Sequence, residues 1–125
     1  MARVPPRELL ASAWRPVIFE FIRRVARSLQ PGQQITSWYR DPLTNQREGG
    51  APTSQHLFGL AIDIVGPGQE LTQSIARDAQ LIAVQEFDHL HIQLLPAGVL
   101  ERIGVTFQRV QAQTVQQSTQ VRSIF

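Results

Sequence analysis

All three histidines of this 125-residue chain lie in two short segments that combine imidazoles with carboxylates. The first segment, S-Q-H-L-F-G-L-A-I-D, ends at Asp63, and the second, D-H-L-H, begins at Asp88. Zinc accepts imidazole nitrogens and carboxylate oxygens, and catalytic zinc sites typically use three protein ligands and leave a fourth position for water. His56, Asp63 and His91 supply such a set if the strands that carry them are neighbours in one sheet.

Asp63 is the clearest clue among these residues because it interrupts the apolar strand predicted over residues 60–65. An unpaired carboxylate is costly to bury there. In strand alternation Asp63 shares a face with the small Ala61, which leaves space around the carboxylate. Taken alone, it could cap the following turn or pair with an arginine. The presence of His56 favours the interpretation of Asp63 as a metal ligand, since the nearby Gly59 allows the chain to turn and bring the imidazole towards the carboxylate.

A zinc hydrolase also needs a base for its water. Zinc lowers the pKa of a bound water towards about 7, so that a nearby carboxylate can take its proton near neutral pH. Asp88, three residues before His91, is the first candidate, and Glu86 is its competitor. In one uninterrupted strand Asp88 and His91 would point to opposite faces, so the assignment of Asp88 requires a turn or bulge. His89 shares a face with His91 and could stabilise an oxyanion, orient a ligand or simply be exposed.

The two segments together resemble a known family. S-x-H-x-x-G-x-A-x-D followed by D-H-x-H is similar to the signature of zinc D-alanyl-D-alanine carboxypeptidases and dipeptidases. The wider group includes phage endolysins that cut peptidoglycan peptides, and it shares its fold with the hedgehog signalling domain. The resemblance covers residues 35–96 and extends upstream to S-W-Y-R, which ends at Arg40, and to N-x-x-x-G-G-A, which begins at Asn45. Phe87 is a mild departure, and no cell-wall-binding module is evident.

The resemblance implies a role for each matching position. It implies three zinc ligands and a general base: His56, Asp63, His91 and Asp88. It also implies that Arg40 binds a carboxylate of the substrate, for which a guanidinium fork is physically suited. Ser54 could hydrogen-bond the substrate or order the loop. With His89 as an oxyanion or ligand contact, these residues form the predicted substrate-binding set.

Composition excludes several other classes of protein. The chain has no cysteine, so disulfides and thiolate zinc sites are ruled out. Its net charge is +2, all its basic side chains are arginines, and no basic stripe is interleaved with aromatics, so nucleic-acid binding is not expected. We see no signal peptide and no segment long enough to span a bilayer. The expected location is the cytoplasm, or the cell wall if another route, such as phage-type release, delivers the protein.

Hydrophobic periodicity predicts an α+β domain over residues 1–110, with a small, mainly antiparallel sheet packed by two main helices. The predicted helices are 16–29, 71–81 and a short one at 99–103, and the predicted strands are 34–40, 60–65, 82–87 and 89–95. Residues 41–55 are predicted to be a loop, since they contain Asp-Pro and Gly-Gly pairs. Val105 and Phe107 could continue a strand. Residues 111–125 form a glutamine-rich polar tail that cannot bury much apolar surface.

These observations predict a zinc-dependent peptidase that acts on peptidoglycan stem peptides or D-alanyl dipeptides. The alternative is a non-catalytic, zinc-stabilised binding module with the same fold, and a third interpretation is a metal-free globular domain. Asp88 argues against the binding module, because a purely structural metal does not need a base. Carboxypeptidase, dipeptidase and endopeptidase activities are not distinguished by the sequence.

Overall fold

An antiparallel sheet of four strands runs through the middle of the chain. The computed structural model describes residues 2–51 and 53–102. Within them the strands are β1 (Gln34–Ser37), β2 (Ala61–Val65), β3 (Ile82–Gln85) and β4 (Leu90–Gln93). The helices are α1 (Arg7–Leu10), α2 (Arg15–Ser28), α3 (Pro42–Arg47), α4 (Gln69–Asp78) and α5 (Val99–Arg102), and a single 3-10 turn spans Gln55–Phe58. The predicted α+β class is confirmed.

The order of the strands places the two motif-bearing strands at the centre of the sheet. That order is β1-β2-β4-β3, and every neighbouring pair is antiparallel. Asp63 of β2 therefore lies opposite His91 of β4, and on its other side it lies opposite Ser37 of β1. The adjacency that the candidate ligand set requires is present, because β2 and β4 are paired directly.

The hydrophobic core fixes which face of the sheet carries the site. Ile62 and Ile64 of β2 are fully buried, as are the apolar side chains Leu90 and Ile92 of β4. They belong to one core cluster with the apolar stripe of α2 and with α4, and burying each such side chain contributes about 1.5–3 kcal/mol. Because side chains alternate along a strand, burial of Ile62 and Ile64 turns Asp63 to the opposite face.

The region predicted as a loop contains a helix that the sequence analysis did not anticipate. Helix α3 begins after Asp41, whose Oδ1 accepts a hydrogen bond from the Thr44 backbone N–H at 2.8 Å. Pro42 occupies the first helical turn, where its missing N–H costs nothing. The Asp-Pro pair thus starts a helix here. The predicted strand from residue 34 ends at Ser37, three residues earlier than expected.

Some predictions fall outside the described residues. The strand suggested at Val105 and Phe107 and the polar tail at 111–125 lie there, so the domain boundary at residue 110 stays a prediction. Among residues 2–51 and 53–102, none of the helices is long and apolar enough to cross a membrane.

Candidate metal centre and active site

His56 is presented by the 3-10 turn that leads into β2. The Ser54 hydroxyl caps this turn by accepting a hydrogen bond from the His56 backbone N–H at 3.3 Å. Gly59 ends it with φ of +73°, and a Cβ there would lie 2.9 Å from Cγ of Pro5. Only glycine suits this left-handed, crowded position. The turn directs the imidazole inward, and His56 is only 2% exposed.

Asp63 is the centre of the cluster, and its two carboxylate oxygens face different partners. Oδ1 lies 2.9 Å from Nδ1 of His91 and 3.4 Å from Nε2 of His56. Oδ2 accepts a hydrogen bond from a terminal nitrogen of Arg40 at 3.1 Å. Asp63 is only 5% exposed, so these partners take the place of water around its buried carboxylate charge.

The three predicted ligands come together in the structure. One ligand atom from each of His56, Asp63 and His91 lies within 4.8 Å of the others, so the group could hold a metal ion. The chemistry of His56 fits this use. Its Nδ1 donates to the Trp38 carbonyl at 2.7 Å, so in the neutral imidazole Nε2 carries no proton. Within the described residues this buried Nε2 has no hydrogen-bond partner. A metal ligand needs such a bare nitrogen, and metal-binding histidines usually donate their other N–H to a carbonyl or carboxylate.

The charges of the cluster stabilise one another. Burial alone would raise the pKa of Asp63, but its contacts with His56 and His91 outweigh burial and hold that pKa well below its usual range. Burial alone would lower the pKa of His91, whereas its hydrogen bonds with Asp63 and Gln93 raise that pKa above its ordinary value. The carboxylate is therefore ionised and available as a ligand at neutral pH.

The turn between β3 and β4 carries the remaining titratable groups. Residues 86–89 interrupt the strand, and the Glu86 backbone N–H donates to the His89 carbonyl at 2.9 Å. His89 stands between two carboxylates: its Nδ1 lies 2.7 Å from Oδ1 of Asp88, and its Nε2 lies 3.1 Å from Oε2 of Glu86. Its Nε2 is also 3.6 Å from Oδ1 of Asp63. The interruption that Asp88 needs in order to share a face with His91 is thus present.

The pKa of His89 follows from these neighbours. Burial alone would lower it, but the hydrogen bond with Asp88 and the charges of Asp63 and Glu86 raise it above its ordinary value. The side chain of Asp88 is 76% exposed, whereas that of Glu86 is 48% exposed. Asp88 is therefore the more accessible of the two carboxylates that compete for the role of base.

Opposite this turn, residues 48–50, which follow α3, form the second wall of a cleft. Asn45 is buried, and its Nδ2 donates to the Ala51 carbonyl at 2.9 Å. A Cβ at Gly50 would lie 2.0 Å from Oδ1 of Asn45, so this wall requires glycine. Between the walls lies a cleft of about 470 Å³, within the range of small-ligand sites. Its lining includes every predicted site residue: Arg40, Ser54, His56, Asp63, Asp88, His89 and His91.

Arg40 has a more complex setting than the sequence indicates. Its side chain is 14% exposed, and besides Asp63 it contacts Oγ of Ser37 and Oε2 of Glu48, both at 3.2 Å from Nε. Glu48 was not among the predicted site residues, and neither was Gln93, whose Oε1 lies 2.8 Å from Nε2 of His91. The signal for Gln93 was its spacing, because two residues along a strand place it on the face of His91. No sequence pattern singled out Glu48.

Comparison with known proteins agrees with this geometry. The family model for peptidase M15 matches residues 17–93, which is more than half of the chain and includes all three candidate ligands. The chain belongs to the peptidase M15 family. No curated protein and no solved structure matches the chain.

Membership of the peptidase M15 family supports a metallopeptidase, a type of hydrolase that acts on peptides. Peptidases M15 are typically zinc-dependent, and the cluster of His56, Asp63 and His91 agrees with such a metal. The coarse part of the predicted function, a metallopeptidase, is thereby supported. Family membership alone does not identify the scissile bond, and it does not show that the chain is a carboxypeptidase.

Proposed function

We propose that this chain is a zinc peptidase that hydrolyses peptidoglycan stem peptides or substrates ending in D-alanyl-D-alanine. The single observation that carries the proposal is the convergence of three ligand atoms around a bare, buried His56 Nε2 at the floor of a cleft. Family membership supplies the reaction class. The choice of substrate rests on the resemblance of the two motifs to D-alanyl-D-alanine peptidases and on the presence of Arg40 in the cleft.

His56 Nε2, Asp63 Oδ1 and His91 Nδ1 would hold the zinc. When bound, zinc supplies a Lewis acid for the scissile carbonyl and lowers the pKa of water towards about 7. The chain's own contribution is to hold these ligands in place before the metal arrives. The Trp38 carbonyl fixes His56, and Arg40 fixes the second oxygen of Asp63.

Asp88 is the proposed general base. It lies three residues before His91 on the interrupted strand and lines the cleft. The carboxylate accepts the proton of the attacking water and afterwards gives it to the leaving amine. His89 donates to Oδ1 of Asp88 and so orients the base. Glu86, on the other side of His89, is the alternative base.

Arg40 is the proposed contact for the carboxylate of the substrate. It lines the cleft beside Asp63, and a guanidinium offers five donors, of which its contacts with Ser37 and Asp63 use two. A carboxylate bound there would set the distance between the substrate's terminus and the metal. Ser54 also lines the cleft, but its hydroxyl already orders the turn of His56, so we assign it to that role first.

The experiment that tests the proposal measures metal content and peptide cleavage together. Purified protein is analysed for zinc by mass spectrometry and then incubated with muropeptides and with an acetylated peptide that ends in D-Ala-D-Ala. We expect about one zinc per chain and release of D-alanine or of cleaved stem peptides, with no cleavage by Asp63→Asn. Zinc-loaded protein without activity on these substrates would favour the non-catalytic binding module.

A further inference from the structure

Gln93 lies behind His91 on the same strand face, on the side away from Asp63, and none of the roles above uses it. We propose that Gln93 is a positioning residue: through a series of hydrogen bonds that starts at the Leu95 carbonyl, it holds a proton on Nε2 of His91 and so directs Nδ1 towards the metal. This inference rests on the proposed zinc peptidase function. It identifies the residue that orients the imidazole of one zinc ligand, His91.

The first hydrogen bond of the series fixes the orientation of the Gln93 amide. Its Nε2 lies 2.7 Å from the backbone oxygen of Leu95. A carbonyl oxygen only accepts hydrogen bonds, so the amide must present its NH₂ group to Leu95. The amide oxygen of Gln93 then points the other way, towards the imidazole of His91. Main-chain geometry thereby removes the usual uncertainty about which way a glutamine amide faces.

The second step fixes the imidazole of His91. Oε1 of Gln93 lies 2.8 Å from Nε2 of His91, and because that oxygen only accepts, Nε2 carries the hydrogen. In the neutral ring Nδ1 is then bare, and it faces Oδ1 of Asp63 at 2.9 Å. Two acceptor atoms this close need a cation between them, either a proton or a metal ion. The Gln93 amide thus favours the tautomer in which Nδ1 of His91 and Oδ1 of Asp63 bind the same cation.

The Leu95 carbonyl is itself held by a second amide, that of Gln55. Nε2 of Gln55 donates to this carbonyl at 2.7 Å, and its Oε1 accepts from the Leu95 backbone N–H at 2.9 Å. Gln55 is buried and directly precedes His56 in the 3-10 turn. The backbone of Leu95 therefore connects the segment of His56 with the support of His91, and both imidazoles are oriented by main-chain carbonyls, one directly and one through Gln93.

The test measures zinc affinity rather than turnover. Wild-type protein and the variants Gln93→Leu and Gln93→Glu are stripped of metal and titrated with zinc in competition with a chromophoric chelator. Loss of an outer hydrogen-bond partner of a metal-bound histidine typically weakens binding about 10- to 100-fold, and we expect that loss for Gln93→Leu. Gln93→Glu keeps an acceptor for Nε2 of His91 but loses the N–H that donates to the Leu95 carbonyl, so its affinity should lie between those of Gln93→Leu and the wild type.

Gln73→Leu is the matched control. Gln73 is also a half-buried glutamine that donates to a main-chain carbonyl, that of Ala83 at 3.1 Å, but it lies outside the cleft. The zinc affinity of the Gln73→Leu variant should equal that of the wild type. The visible absorption spectrum of the cobalt-loaded protein gives a second measurement, because a displaced His91 ligand changes the spectrum in Gln93→Leu, and Gln93→Glu should restore it in part.

The outcomes separate this inference from the function on which it rests. If the wild type binds zinc and Gln93→Leu binds it equally well with the same cobalt spectrum, the positioning role is wrong and the zinc site stands. Equal losses in Gln93→Leu and Gln73→Leu would also overturn it, because they reveal a packing effect. If Gln93→Leu does not fold, Gln93→Met, which keeps the length of the side chain without its hydrogen bonds, takes its place. A wild type that binds no zinc overturns both proposals.

Discussion

Asp63 and His91 lie directly opposite each other on the paired central strands β2 and β4, with 2.9 Å between Oδ1 and Nδ1. The hydrogen-bond ladder of the sheet therefore sets the spacing of two candidate ligands, and these two strands are themselves paired on both sides. The third, His56, is fixed by the Trp38 carbonyl. A site held in this way has its geometry before a metal binds, which reduces the cost of ordering it.

We expect zinc to stabilise the folded protein. A ligand that binds only the folded state at a concentration of 100 Kd adds about 2.7 kcal/mol to the free energy of unfolding. Adding zinc to metal-free protein should therefore raise Tm by several degrees in differential scanning fluorimetry, and excess chelator should reverse the shift. Asp63→Asn should show no zinc-dependent shift. An equal shift in the wild type and in this variant would contradict binding at the cluster.

Asp88→Asn should abolish most of the turnover while retaining zinc. Loss of a general base typically lowers kcat about 10²- to 10⁴-fold, and Asp88 is not among the three clustered ligands. Glu86→Gln is the control, since Glu86 contacts the same His89 from the other side. Turnover and bound zinc are measured for both variants. A large loss of kcat in Glu86→Gln alone would move the base to Glu86.

Glu48→Gln should strengthen the binding of substrates that have a free carboxylate. Oε2 of Glu48 lies 3.2 Å from Nε of Arg40, so its charge competes with a substrate carboxylate for the same guanidinium. The side chain of Glu48 is 53% exposed, and ion pairs at exposed positions contribute about 0.2–1 kcal/mol, so we expect KM to decrease by up to about fivefold. KM is compared for a peptide acid and its amide, and only the acid should respond. Glu70→Gln, on the first turn of α4, is the control.

If KM falls equally for the peptide acid and for the amide, Glu48 does not compete with a substrate carboxylate. If Arg40→Ala leaves KM for the acid unchanged, Arg40 is not the carboxylate contact. Because Arg40 also holds Oδ2 of Asp63, zinc content must be measured for the Arg40 variant as well.

Asp41→Ala should destabilise helix α3, which leads into the wall of the cleft at residues 48–50. Asp41 caps this helix, and its hydrogen bond from Thr44 lowers the pKa of its carboxyl group below the ordinary value. A lowered pKa means that the cap stabilises the protein at neutral pH, and that this contribution is lost as the pH falls below about 4. The variant should lose a few degrees in Tm at pH 7 and match the wild type in strong acid. Asp78→Ala removes a carboxylate from the last turn of α4, where it caps no helix N-terminus, and should not lower Tm at pH 7.

Much of the site could be predicted from the sequence because two patterns agreed. Strand alternation placed Asp63 on the face opposite Ile62 and Ile64, and the resemblance of the two motifs to zinc peptidases implied His56 and His91 as its fellow ligands. Helix α3 was missed because Asp-Pro and Gly-Gly pairs usually mark loops, although Asp-Pro also begins helices. The contact between Arg40 and Asp63 depends on the register of β1 against β2, which is irregular between Ile35 and Ser37 and leaves no trace in sequence periodicity.

The floor and the walls of the cleft come from different kinds of structure. Its floor belongs to the hydrogen-bond ladder of β2 and β4, whereas its walls come from connecting segments, residues 48–50 on one side and 86–89 on the other. The register of Asp63 against His91 does not depend on the length of either connection. A protein engineer could therefore change residues 48 and 49 while keeping Gly50, in order to change which peptide enters, and the register of Asp63 against His91 would stay the same.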